Sequence, residues 1–173
     1  ARTFQNIRLF KNMTVLDNVR LAMNKSVRYS ALAAVLRLPS YYREEQRILN
    51  EAMELLEVVG LAEKKQVLAK NLPYGQQRKL EIARALAAKP KILFLDEPAA
   101  GMNPQETTEL TELIHQIKEQ FNLTVVLIEH DMSLVMKICE RIYVLDYGKC
   151  IAQGTPEAIK NNRRVIEAYL GED

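Results

Sequence analysis

Apolar side chains recur at helical spacing in the first half of the chain. Ile48, Leu49, Ala52, Met53, Leu55, Leu56 and Val59 share one stripe, and Glu51, Glu54 and Glu57 fall largely off it. Gly60 is a natural stop for that helix. An earlier helix is expected from about Thr14 to Lys25, with Val15, Val19, Leu21, Ala22 and Met23 as its apolar positions. A loop containing Leu38-Pro39-Ser40 is expected between the two.

The second half alternates strand and helix. Ile92–Leu95 and Thr124–Ile128 read as buried strands. Between them Asn103-Pro104-Gln105-Glu106 has a helix start's grammar, with Asn as N-cap, Pro at N1 and Glu at N3. Leu110, Leu113, Ile114, Ile117 and Phe121 give that helix its apolar stripe. Asp131 can cap the next helix, and Thr155-Pro156-Glu157 starts another. Ile142–Leu145 and Cys150–Ala152, joined by Asp146-Tyr147-Gly148-Lys149, predict a hairpin. Strand–helix–strand order implies a parallel α/β sheet, whose strand carboxyl ends are where ligands bind.

Composition changes this picture little. The chain has 173 residues, 48% hydrophobic and 27% charged, with a formal net charge of +2. That is an ordinary globular composition, and it excludes collagen-like and disordered classes. The near-neutral balance gives no global signal for nucleic acid. No run approaches the 18 or so apolar residues of a membrane span. Cys139 and Cys150 show neither metal-ligand spacing nor a disulfide pattern, so a reducing compartment is expected.

Four features could carry chemistry. Asp96-Glu97 closes a strand, where one carboxylate can hold Mg2+ on nucleotide phosphates and the next can orient or deprotonate water. A plain solvated strand end is the bland alternative. Leu72-Pro73-Tyr74-Gly75-Gln76 feeds a helix through Leu80, Ile82, Ala83, Leu86 and Ala87, presenting backbone N–H groups to an anion. Taken alone it reads better as a Pro/Gly loop with a basic first turn. His130, after the second strand, can meet a phosphate oxygen, or simply a neighbouring carbonyl. Gln5 can reach a metal or water through its carbonyl oxygen. Arg78, Lys79 and Arg84 read as a solvated helix face, His115 as a surface residue, and Met13, Met23 and Met53 as core filler.

In this order and spacing the features resemble the ATP-binding subunits of ABC transporters. Gln5 matches that family's Q-loop glutamine, Leu72–Gln76 its signature motif, and Phe94–Glu97 the end of its Walker B strand. Pro98–Asn103 matches the approach to the D-loop, and His130 the switch histidine. Met13-Thr14-Val15, Tyr74–Arg78, Leu80–Arg84, Asp96–Gly101, Ile128–Met132, the ending Arg164–Gly171 and the insert at about Ser26–Ala69 are similar to the LivG type, found in branched-chain amino-acid importers.

The resemblance implies a P-loop NTPase-like parallel sheet with an inserted α-helical subdomain, its N-terminal part missing. It implies one ATP-binding domain over 1–173. Its parts are a Q-loop region (1–11), a helical subdomain with the signature (12–88), a Walker B, D-loop and switch-histidine core (89–160) and a C-terminal tail (161–173). It implies an ATPase using ATP and Mg2+, with Asp96 and Gln5 toward the metal and Glu97, His130 and Gln5 catalytic. Tyr74, Gly75 and Gln76 would act in trans on a partner's nucleotide, with Asn103 in the D-loop. Implied partners are a second ATP-binding subunit, membrane permease subunits and, indirectly, a periplasmic binding protein, with no nucleic acid. The implied location is the cytoplasmic face of the inner membrane, held peripherally. A non-transport ABC ATPase and a catalytically silent interaction module are the rival readings.

Two departures stand out. No Gly-x-x-x-x-Gly-Lys-Ser/Thr occurs in the chain, which opens with Ala1, so a P-loop is expected upstream and the chain by itself is expected to be inactive. Pro73 stands where the wider family has Ser, with neither hydroxyl nor backbone N–H.

Overall fold

A computed structural model describes residues 1–26 and 30–169. The chain forms two compact units, residues 1–128 and 129–173. The boundary falls within the stretch 89–160.

In the first unit, α1 (Val15–Ala22) begins at Thr14, whose hydroxyl oxygen accepts the Asp17 N–H. A short 3₁₀ turn, Met23–Ser26, follows. Residues 27–29 of the insert lie outside the described residues. The linker before Ile48 differs from expectation. Pro39 and Ser40 are the first turn of α3 (Pro39–Val58), and a short α2 (Ala31–Val35) precedes it. Pro39 starts the helix because its missing N–H would be unpaired there anyway. Gly60, at φ +70°, ends the helical run as its sequence indicated.

α4 (Tyr74–Ala87) packs with α1 and α3. Their shared core is Val15, Val19, Met23, Ala52, Leu56, Leu80, Ile82 and Ala83, all essentially solvent-free. Each large aliphatic residue so buried contributes about 1.5–3 kcal/mol. Asn18 is buried too, accepting the Phe10 N–H and donating to the carbonyls of Phe10 and Thr14. Its amide thereby fixes where the N-terminal segment leaves the sheet.

β1 (Ile92–Asp96) and β2 (Thr124–Ile128) are parallel, with Phe94 opposite Val126 and Asp96 opposite Ile128. The other edge of β1 carries residues 1–3: the Phe94 N–H donates to the Ala1 carbonyl and the Thr3 N–H to the Phe94 carbonyl. α5 (Pro104–Gln120) joins the strands, opened by the expected capping box between Asn103 and Glu106. The strands are not buried on both faces as expected. Leu93 and Leu95 are fully covered, while Ile92, Phe94, Val126 and Ile128 point to an uncovered face. Period-two side-chain alternation puts these four on one side of the pleat. Phe121, expected in the core, caps α5 and is partly exposed.

The second unit contains α6 (Met132–Ile138), β3 (Ile142–Asp146), β4 (Lys149–Gly154), α7 (Pro156–Lys160) and α8 (Arg163–Tyr169). β3 and β4 form the expected hairpin. Tyr147 and Gly148 both have positive φ, the twist-matched two-residue turn of such hairpins. Within the tail motif, Arg164–Tyr169 lies in α8, and the Tyr169 hydroxyl donates to the Leu145 carbonyl at 3.0 Å. Leu170 and Gly171 lie outside the described residues.

Candidate functional site

The site of the first unit is built at the carboxyl end of β1. Asp96 is its last residue and Glu97 the first beyond it. Glu97 has φ +42°, a left-handed conformation costing a non-glycine residue on the order of 1–3 kcal/mol. Pro98 disfavours the right-handed helical region for the residue before it. The Glu97 N–H donates to the Ile128 carbonyl at 2.9 Å, so the strand ladder also holds the turn.

Gln5 reaches this turn. Its Nε2 donates to Glu97 Oε2 at 2.6 Å. With the side-chain nitrogen so used, the Gln5 side-chain oxygen, Oε1, is the group left for a cation. Asp96 Oδ2 accepts from the Arg2 guanidinium at 2.7 Å, and the Asp96 N–H donates to the Thr3 hydroxyl at 3.4 Å. Gln5, Asp96 and Glu97 are therefore brought together, with Arg2 as a fourth member that the sequence did not single out.

The helix face of Arg78, Lys79 and Arg84 is not a solvated face. Arg78 is fully buried. Its Nη1 donates to the Phe4 carbonyl and to Glu81 Oε2, and its Nη2 to the Gln5 carbonyl, all at 2.7–2.8 Å. Glu81 Oε1 in turn accepts the Arg8 N–H at 3.2 Å. Arg84 donates to the Arg8 carbonyl and lies over the Phe10 ring, and burial lowers its pKa. Positions 78, 81 and 84 lie three residues apart, along one line of α4. They clamp residues 4–10 against the helix. Only Lys79 keeps the expected character, pairing with Glu109 at the surface. The physical reason for the difference is the backbone of residues 4–10, whose unpaired carbonyls need donors. A sequence shows the charges but not that partner.

The N-terminus of α4 meets the N-terminus of α5. Pro73 is the N-cap and supplies no side-chain cap bond. Gly75 is buried, and a Cβ there would come within 2.7 Å of Glu106 Oε1. Gly101 similarly lies beside the Tyr74 ring. Gln76 Oε1 accepts from Lys64 Nζ at 2.8 Å. Tyr74, Gly75, Gln76 and Asn103 are thus placed together by two helix starts, with Glu106 capping one and covering the other's glycine.

His130 belongs to the second unit. Its ring is largely exposed; its backbone N–H donates to Glu129 Oε2 at 3.2 Å, and the ring Nδ1 lies 3.8 Å from the same oxygen. Asp131 caps α6 as the sequence indicated, accepting from the N–H groups of Ser133 and Leu134. The Ser133 hydroxyl bond, with these backbone donors, holds the Asp131 carboxyl below the usual carboxylate range.

Among the described residues no group of three or more His, Cys, Asp or Glu side chains forms a metal site. A Mg2+ that rides on phosphates needs less, typically one or two protein oxygens with phosphate and water completing the shell. Asp96 and Gln5 fit that sparse donor set. Among the described residues no helix is long and apolar enough to cross a membrane.

The α/β fold, with its parallel strand pair ending in paired carboxylates, aligns with solved ABC ATP-binding cassettes and is P-loop NTPase-like. The chain belongs to the ABC transporter family, which matches residues 1–100. A second family, described as branched-chain amino acid ATP-binding cassette transporter, matches residues 149–173. The chain is 50% identical over 172 residues to the high-affinity branched-chain amino acid transport ATP-binding protein LivG of Escherichia coli K12. It is 48% identical to its counterpart BraF of Pseudomonas aeruginosa. Each match covers 99% of this chain and 68% of the relative. Among solved structures, the ADP conformation of MJ1267, an ATP-binding cassette of an ABC transporter, aligns over 99% of this chain and 68% of that one. Its TM-score is 0.78 at 32% identity.

Proposed function

We propose that this chain is the nucleotide-hydrolysing part of an ABC importer for branched-chain amino acids. The match of residues 149–173 to the branched-chain family carries the reading, because that segment lies outside the stretch matching ABC transporters at large. Half-identity to LivG over almost the whole chain supports it.

In this reading Asp96 and Gln5 hold Mg2+ on the nucleotide, and the ion supplies charge neutralisation at the phosphates. Glu97 orients and deprotonates the attacking water. Gln5, bonded to Glu97, ties the base to the segment clamped on α4. His130 contacts the γ-phosphate. Tyr74, Gly75 and Gln76 act on nucleotide held by a second ATP-binding subunit, with Asn103 beside them. The phosphate cradle comes from outside these residues, which carry no P-loop motif. Permease subunits and, through them, a periplasmic binding protein complete the importer. The cassette works at the cytoplasmic face of the membrane, held peripherally.

The test is Glu97→Gln in the assembled importer. Losing a positioned base is expected to slow ATP turnover by about 10²–10⁴-fold, with ATP binding retained and leucine accumulation lost. Turnover near the unaltered rate would sink the assignment of Glu97. Wild-type turnover that leucine and its binding protein fail to stimulate would sink the substrate.

A further inference from the structure

One surface of the first unit is apolar and exposed where the fold has no use for it. α2 buries Ala33 and turns Leu32, Val35 and Leu36 outward, 66%, 79% and 59% exposed. Leu38 and Tyr42 extend the patch across the start of α3. The turn between the helices is closed by two backbone hydrogen bonds. Arg37 adopts a left-handed φ of +49°, its N–H donates to the Ala34 carbonyl, and the Leu38 N–H to the Ala33 carbonyl. That double bond pattern is a Schellman cap. The apolar side chains are therefore presented on a fixed frame.

The charged residues beside this patch that form no ion pair among the described residues are basic, while Glu44 and Glu45 on α3 pair with Arg47 and Arg20. From Asn18 to Arg43 the sequence has five basic residues and no Asp or Glu. Arg20 is spent on Glu45. Arg37 and Arg43 flank the exposed apolar residues, are themselves exposed, and form no ion pair among the described residues. Contiguous exposed apolar surface of this kind marks an interaction site. An apolar face with Tyr at its edge and Arg around it matches the interface of an anionic bilayer, where aliphatic side chains enter the acyl boundary and Arg meets headgroup phosphates. A second copy of the same patch would bring like charges together.

We propose that the patch formed by Leu32, Val35, Leu36, Leu38 and Tyr42, ringed by Arg37 and Arg43, docks on an anionic lipid surface. It inserts shallowly and reversibly, as a peripheral contact. The proposal stands on this patch alone, so loss of the transport reading leaves it standing.

Co-sedimentation of the full-length protein with vesicles tests it. Binding is expected on phosphatidylcholine–phosphatidylglycerol vesicles and to weaken at high salt. Arg37→Gln with Arg43→Gln is expected to cut that partitioning by about 25-fold, since each basic residue near such a surface contributes about fivefold. The same pair is expected to change nothing on phosphatidylcholine alone. Leu32→Gln, Val35→Gln and Leu36→Gln together are expected to lower partitioning by at least about 30-fold. All these side chains are at the surface, and an unchanged circular dichroism spectrum verifies folding. Equal binding to both vesicle types, or binding that survives both sets of changes, would overturn the proposal. So would self-association, or capture by permease subunits in detergent, that the triple variant abolishes while vesicle binding is absent.

Discussion

The carboxyl end of β1 and the charged face of α4 both contact residues 1–10 and use the same kinds of side chain to opposite ends. On α4, Arg78 and Glu81 are buried and bond to each other and to three backbone groups of residues 4–8. At the strand end, Asp96 and Glu97 are half-buried, and each accepts from one side chain of the N-terminal segment, Arg2 or Gln5. Two neighbouring carboxylates repel, and that arrangement suits a cation or a developing charge. Charges that close on one another inside the core hold a structure together, while carboxylates kept half-buried at a strand end are placed to meet something that comes and goes.

The sharpest way to break this contrast is Arg78→Met. If the α4 face is structural, the change strands Glu81 and the Phe4 and Gln5 carbonyls. Removing one partner of a buried pair costs about 3–5 kcal/mol. Chemical denaturation is expected to show a loss of that size. Adding Glu81→Leu should then restore about half of it or more, because an apolar pair leaves no buried charge. A loss below about 0.5 kcal/mol, the ordinary result at a solvated site, would mean the face is not a clamp.

Gln5→Ala attacks the other side of the contrast. The side chain is exposed and its bond goes only to Glu97, so stability is expected to hold. Turnover in the assembled importer is expected to fall about tenfold, the lower end of what a hydrogen bond to a charged group contributes. A stability loss with no change in turnover would make Gln5 a structural residue and erase the distinction.

Local signals made much of the fold legible. The Asn103 capping box, the Asp131 cap, the Gly60 stop and the Tyr147-Gly148 turn are each settled within a few residues of chain, and all formed as their sequences indicate. The strand-end acids and their glutamine were legible from order along the chain and a family resemblance. What escaped depends on distant partners. Arg78 became a clamp because residues 4–10 supply carbonyls more than 70 positions away. Ile92 and Phe94 were read as core because an apolar run does not say how many faces are covered. Arg2 carried no signal until β1 placed Asp96 beside it.

The finest test lies between two adjacent residues. Lys79 follows Arg78 on α4 and also meets a carboxylate, Glu109, at 2.7 Å. Its partner is solvent-exposed, and exposed ion pairs add little because water and salt screen them. Lys79→Met is therefore expected to shift the denaturation midpoint only slightly, where Arg78→Met shifts it strongly. The pair still has an electrostatic signature. The Lys79 ammonium holds the Glu109 carboxyl below its ordinary value of 4.5. A carboxyl depressed by folding contributes above that ordinary value and stops contributing as pH falls through the lower, folded one. In Lys79→Met the Glu109 titration, followed by carboxyl NMR, is expected to rise toward 4.5, with only a small loss of stability at neutral pH. A stability loss approaching that of Arg78→Met would show that burial is not what separates these two neighbours.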